Sequence, residues 1–309
     1  MRVIDLHCDA LMKLLRFPLE EFSCSTKLDV TLEELIKGNY LLQVFAIYIP
    51  EEYPKNISSL MRVIDLFYSK VINHPQMHWV RSKEDLEYCL SHKKIGALLS
   101  IEGVECLEAK LYMTSILQKL GIQAIGLTWN NQNWAAEGVL ANTKSGISQI
   151  GKQFIKKLEV DKIILDVSHL SPTSFSDLLV HYSGPIWASH SNSYALCPHP
   201  RNLTDEQLFQ LADRGGIIGV TYVPQFISEY SQATIDKLIS HIDYLIELGV
   251  EKHIALGSDF DGIDFYVEGL AQPSDVNQLA NALLIRYGKE ISESILWKNA
   301  YQFLYQYLP

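Results

Sequence analysis

The sequence predicts an α/β fold, a (β/α)8 TIM barrel in which eight parallel strands alternate with helices. Three observations predict it. Eight apolar runs of strand length recur along the 309 residues. Segments of helical period, with recognisable end signals, lie between them. Residues of metal-ligand type stand where several of the runs stop. Continuous apolar runs mark parallel strands covered on both faces. Their regular alternation with helices builds either a closed barrel or an open doubly wound sheet. The barrel is the expectation, and the open sheet is the alternative.

In chain order the runs are VIDLHCD (3–9), LLQVFAIYI (41–49), IGALLSIE (95–102) and AIGLTWN (124–130). KIILDVSH (162–169), PIWASH (185–190), GIIGVTY (216–222) and HIALGSD (253–259) complete the eight. The first gap holds TLEELIKG (31–38), with a Thr cap, a Glu three residues later and a closing Gly. Segments 57–73 and 84–94 fill the second gap, and 107–121 follows the third run and ends on Gly121. Segment 148–160 precedes the fifth run, and SPTSFSDLLVH (171–181) opens on Ser-Pro, a good helix start. Thr204 is the expected cap of 203–216, followed by 233–249, 275–288 and 292–308. No Pro-, Gly- or Ser-rich linker and no short repeat divides the chain, so residues 1–309 read as one domain.

Composition narrows the function. Nearly half of the residues are hydrophobic, enough for a large core, and the formal net charge is −10. An acidic chain lacks the basic face that nucleic acid requires. The five cysteines are odd in number and form no C-x-x-C pair, which suits reduced thiols in a cytoplasmic protein rather than a disulfide framework. Arg2, Asp5 and Asp9 interrupt the first residues, so no apolar leader is expected. No run reaches the ~18 apolar residues of a membrane span.

In a barrel the active site lies at the C-terminal ends of the strands. The first run ends with His7 and Asp9, whose i, i+2 spacing puts them on one face of a strand. Glu102, His169, His190 and Asp259 end four of the other runs. Each alone could solvate or cap a strand end. Together, three histidines and several carboxylates at one mouth suit a pair of divalent ions, zinc first, with iron, manganese or cobalt as alternatives. Two ions repel unless a carboxylate bridges them, and Glu102 is the natural bridge. Water between two such ions loses a proton near neutral pH and becomes a nucleophile. Asp259 is then placed to act as general base and acid. Asp166 is expected to face away from the mouth, Asp261 to hold the turn at Gly262, and Cys8 to pack. His74, His78, His92, His181 and His241 read as solvated surface.

These residues are similar to those of a known family. DLHCD, SIEG, LTWNNQN, LDVSHLS, ASHSNSYALCPHPRNLTDEQL, IALGSDFDG and NAYQFL follow one another as in the membrane dipeptidase (renal dipeptidase) family of zinc peptidases, within the amidohydrolase superfamily. The resemblance implies a metallo-dependent hydrolase barrel with two Zn2+ ions. His7 and Asp9 would bind one, His169 and His190 the other, with Glu102 between them. Asp259 matches the acid/base. Arg201 matches the arginine that holds the substrate carboxylate, a contact its two-pronged guanidinium suits. One departure is visible. The family often carries a histidine after LT, where it steadies the developing oxyanion. Trp129 stands there, offering an indole N–H or a pocket wall.

The implied substrate is a dipeptide with a free C-terminal carboxylate, D-residues included. A related binuclear amidohydrolase acting on another amide, a lactam or a lactone is the alternative, and Arg201 argues against it. A metal-binding scaffold without catalysis has no use for Asp259. A homodimer is implied by the family, and no membrane or nucleic-acid partner is expected.

Overall fold

A computed structural model describes residues 1–141, 143–228 and 232–309. Its strands are β1 (Val3–Asp5), β2 (Tyr40–Ile47), β3 (Met77–Trp79), β4 (Ile95–Glu102), β5 (Ile122–Gly126), β6 (Ile164–Asp166), β7 (Ile186–Ala188), β8 (Ile217–Val220) and β9 (Ile254–Leu256). All pairings between them are parallel, in the order β2-β1-β9-β8-β7-β6-β5-β4, and β2 pairs with β4 to close the ring. The closed barrel was expected. The ninth strand was not. β3 runs beside the first half of β4, with Met77 opposite Ile95 and Trp79 opposite Ala97. Strand β5 joins the same edge of β4 only from Leu99 onward, so a three-residue strand fits below it.

The helices are α1 (Ala10–Arg16), α2 (Leu32–Lys37), α3 (Ile57–Leu66), α4 (Lys83–His92), α5 (Met113–Lys119), α6 (Gln149–Val160), α7 (Pro172–His181), α8 (Asp205–Asp213), α9 (Pro224–Ile227), α10 (Ile235–Glu247), α11 (Val276–Glu293) and α12 (Asn299–Tyr307). The caps read from sequence form. Thr31 accepts from the Glu34 N–H, Ser171 from Ser174, and Thr204 exchanges bonds with Gln207. α11 breaks at Gly288, whose φ of 75° and ψ of 178° are not helical, where the sequence divided two helices.

The apolar side chains form two bodies. One lies between barrel and helices. The other fills the barrel with Ile4, Leu42, Leu98, Ile164 and Trp187, and α12 stops its lower end with Phe303 and Leu304. Among the described residues no helix is long and apolar enough to cross a membrane. Two histidine expectations fail. His241 is buried, meeting the Ser193 N–H and the Ile227 carbonyl, because α10 turns that face inward. His78 lies in β3 and pairs with Asp85 at 3.0 Å.

Candidate metal centre

Most of the barrel strands stop short of the runs from which they come, and the polar tails of those runs form the mouth. β1 ends at Asp5, which turns back to accept from the N–H of His7 and of Ser258. This ties the β1 and β9 ends together and leaves His7 and Asp9 above the barrel. Past β6 and β9, His169 and Asp259 each adopt a left-handed backbone with φ of 67°. Such conformations are costly for residues other than glycine and collect at functional sites. Here they turn the two side chains over the mouth. Gly262 leaves room for the cluster, since a Cβ there would lie 2.3 Å from Asp9 Oδ2 and 2.5 Å from Asp259 Oδ1.

The six residues read from the strand ends converge. His7 Nε2 lies 3.5 Å from Asp9, 3.7 Å from Glu102 Oε2 and 3.6 Å from Asp259. The other Glu102 oxygen, Oε1, lies 2.7 Å from His169 Nε2 and 3.7 Å from His190 Nε2. One carboxylate thus faces two groups of donors, the geometry a bridge needs.

The donor chemistry calls for cations. Asn130 Oδ1, which can only accept, sits 2.8 Å from His169 Nδ1, so Nδ1 carries the proton and Nε2 presents a lone pair. That lone pair faces a carboxylate oxygen at 2.7 Å and His190 Nε2 at 2.9 Å. Acceptors so close require a proton or a metal ion between them. His7 Nε2 and Asp9 Oδ1 are buried without hydrogen-bond partners. Burial works to lower the His7 imidazole, but Asp9, Glu102 and Asp259 outweigh it and push it up to about 10. Burial raises the carboxyl groups of Asp9, Glu102 and Asp259 and holds His169 and His190 in the neutral, ligating form. The residues present fit a pair of divalent ions.

Arg201 lies beside this cluster, 5% exposed. One arm donates to the His190 carbonyl at 3.2 Å, the guanidinium carbon sits 5.4 Å from the Phe226 ring centroid, and Nε has no partner. It pairs with no carboxylate of the described residues. Burial brings it down to about 10, against the pull of Asp259 and Glu102. A cavity of about 410 Å³ is lined by Arg201, Asp259, His169 and Trp129 among others.

The family model of the membrane dipeptidases, peptidase family M19, matches residues 1–307. The chain belongs to that family. Membership places it among the hydrolases. An uncharacterized Klebsiella pneumoniae protein in the pqqA 5' region is 34% identical over 71% of this chain and 84% of its own length. Dipeptidase tcpJ of Claviceps purpurea is 26% identical over 81% of this chain, and the match spans 58% of that longer relative. A Rhodobacter sphaeroides metallo peptidase, solved with a phosphinate mimic of the dipeptide L-Ala-D-Ala, shares the fold with a TM-score of 0.91 at 23% identity, over 100% of this chain and 99% of that one.

Other residues of the site differ from their expected places. Asp166 faces into the barrel, like Ile164 two residues earlier, and groups with His7 and His190. It lies inside β6 and so did not read as a strand-end residue. It accepts from the Ser168 and Ser189 N–H groups at 2.9 and 3.1 Å. The Ser189 hydroxyl in turn sits 2.7 Å from His190 Nδ1 and 3.4 Å from His7 Nδ1. Asp166, Ser189 and Asn130 therefore support the three imidazole rings from behind. Sequence reasoning assigned none of them that role, because small polar residues beside ligands carry no period of their own. Asp261 is a loop carboxylate, and it receives the N–H groups of Asp29 and Val30, tying down the loop after α1. Trp129 stands against Tyr48, ring centroids 5.2 Å apart, and 6.3 Å from the His169 ring. Cys8 is buried, as expected.

Proposed function

We propose that this protein is a binuclear zinc dipeptidase. It cleaves the single peptide bond of dipeptides with a free C-terminal carboxylate, those ending in a D-residue included. The observation that carries the reading is Arg201: a buried guanidinium with an unpartnered Nε, lining one cavity with Asp259 beside the split Glu102 carboxylate. A dipeptide presents its carboxylate at a set distance from its only peptide bond, which suits that pairing.

His7 and Asp9 would hold one zinc ion, His169 and His190 the other, and Glu102 both. Bound zinc would supply Lewis acidity toward the carbonyl and lower the pKa of water. Asp259 takes the proton of the attacking water and passes it to the departing amine nitrogen. Its placement is firm, since its N–H donates to the His7 carbonyl and its carbonyl receives the Gly262 N–H. Arg201 receives the carboxylate and sets the register of the substrate. Trp129, backed by Tyr48, forms part of the wall of the cavity that Asp259 and Ile263 also line. The same reading takes residues 1–309 as one catalytic domain. The unpaired cysteines support a reducing, cytoplasmic setting. A homodimer rests on the family resemblance.

The test compares a good dipeptide with its C-terminal amide, on zinc-loaded wild type and Arg201→Ala. A charge-assisted contact of roughly 1.5–3 kcal/mol corresponds to about one to two powers of ten in kcat/KM. Wild type prefers the free acid by that factor, and the variant loses the preference while keeping its metal. Equal wild-type rates on acid and amide would move the weight to an amidohydrolase acting on other amides, lactams or lactones.

A further inference from the structure

The cavity beside Arg201 carries more than the carboxylate contact. Its volume is about 410 Å³, within the range of small-molecule sites. Arg201 and Asp259 are both on its wall. With the substrate carboxylate on Arg201 and the departing nitrogen at Asp259, the C-terminal residue spans the gap between them. Its side chain is then inside this cavity.

The lining is mixed, and its apolar part comes from two segments. Val223 and Phe226 come from the segment after β8, and Ile263 and Phe265 from the segment after β9. Val223 and Ile263 are 6% and 7% exposed, whereas Phe265 stands at the rim, 69% exposed. Phe226 is held in place between the Arg201 guanidinium and the His199 ring, whose centroid is 4.4 Å away. The charge is one-sided. Among the described residues Arg201 is the cavity's only lysine or arginine, and the substrate carboxylate matches it. Among the described residues the ionisable lining left is Asp259, Asp264 and the imidazoles of His169 and His199.

We propose, building on the dipeptidase reading, that this cavity seats the C-terminal side chain and selects dipeptides ending in a bulky apolar residue over those ending in glycine or an acidic residue. Each methylene buried there strengthens binding about fourfold, so leucine exceeds glycine by well over tenfold if the fit is good. A carboxylate side chain would meet Asp264 and Asp259 and be repelled.

The experiment uses the zinc-loaded full chain with Ala-Gly, Ala-Leu, Ala-Phe and Ala-Glu, the second residue in L and D form. In at least one stereochemical series kcat/KM for Leu or Phe is expected to exceed that for Gly at least tenfold, with Glu at or below Gly. Ile263→Ala combined with Phe265→Ala should cut the Leu-to-Gly ratio at least fivefold, and Asp264→Asn should raise the Glu-to-Gly ratio a few-fold. A Leu-to-Gly ratio under threefold in both series, or one unchanged in the double variant, overturns the proposal. Calorimetric binding of free glycine, leucine and glutamate reads the cavity without turnover. Leucine should bind at least tenfold tighter than glycine, and equal binding overturns the proposal even in an active enzyme. Failure of every dipeptide to react would sink the dipeptidase reading instead, and the amino-acid titration would still decide the cavity.

Discussion

At the residue scale, each of the three histidines at the mouth is held by a neighbour outside the cluster. Asn130 settles which nitrogen of His169 carries the proton, and Asp166 positions Ser189 beneath His7 and His190. Asp166→Ala should therefore weaken zinc retention about 10–100-fold, the usual cost of losing a supporting partner of a ligand, as read by competition with a chelating dye. Unchanged zinc affinity would mean that the serines hold the rings unaided. Glu102→Gln should also release metal, since the shared charge is lost. Asp259→Asn should behave differently, keeping both ions by elemental analysis while turnover falls on the order of 10²–10⁴-fold. A near-normal rate in Asp259→Asn would remove it as acid/base.

At the scale of elements, the segment after β5 depends on one buried carboxylate. Glu137 receives the Thr143 hydroxyl, the N–H groups of Thr143, Lys144 and Gly146, and the Ser171 hydroxyl. This wraps the segment onto the start of α7 and brings Leu140 to the wall of the cavity beside Arg201. Burial works against the Glu137 charge, but the bonds from Thr143, Lys144, Gly146 and Ser171 outweigh it and hold the group below the usual carboxylate range. Its contribution is thus complete above the unfolded value near pH 4.5 and is lost as pH falls through the lower folded value. Hydrogen exchange of residues 138–141 and 143–147 should accelerate in that acid window in wild type. In Glu137→Gln it should be fast at every pH, with stability lower by about 1–3 kcal/mol for donors left unmatched. Protection that ignores pH in wild type would show that the carboxylate is not what holds the segment. Leu140, Val223 and Phe226 line the cavity beside Arg201 from the segments after β5 and β8, while Asn142 and residues 229–231 lie outside the described residues.

At the scale of the whole molecule, the barrel is filled and stopped rather than open. Trp187 is fully buried at its centre, and its ring stacks on Phe303 of α12 at 6.0 Å. Trp187→Ala should cost roughly 3–5 kcal/mol, the range for losing a large core aromatic, measured by denaturant unfolding. Nearer the mouth, the barrel strands and their ends come within backbone contact. A Cβ at Gly219 or Gly257 would lie 2.0 or 1.8 Å from the Ser189 carbonyl oxygen. Gly257→Ala should therefore destabilise the fold and also displace the Ser189–His190 segment, lowering zinc retention together with melting temperature. Lowered stability with intact zinc affinity would show that the strain stays in the barrel wall.

The sequence by itself determined the strand count of the barrel, the helix caps at Thr31, Ser171 and Thr204, and the six residues that meet at the mouth. These were legible because a parallel strand buried on both faces must be apolar throughout, so a charged or imidazole side chain at its end has no core role and stands out. Family membership was legible in the same residues through their order. Tertiary structure alone decided the rest. Asp166 sits inside an apolar run, and only the curvature of the barrel decides that its face looks toward His7 rather than toward the helices. His241 has the spacing of any surface histidine until α10 packs its face against Ser193 and Ile227. Strand β3 is three residues long, too short for a period, and exists because β5 leaves the first half of the β4 edge unpaired. The cavity beside Arg201 joins residues from the ends of five strands, β5 to β9, that are far apart in the chain, so its volume and charge follow from how the barrel closes rather than from any local pattern.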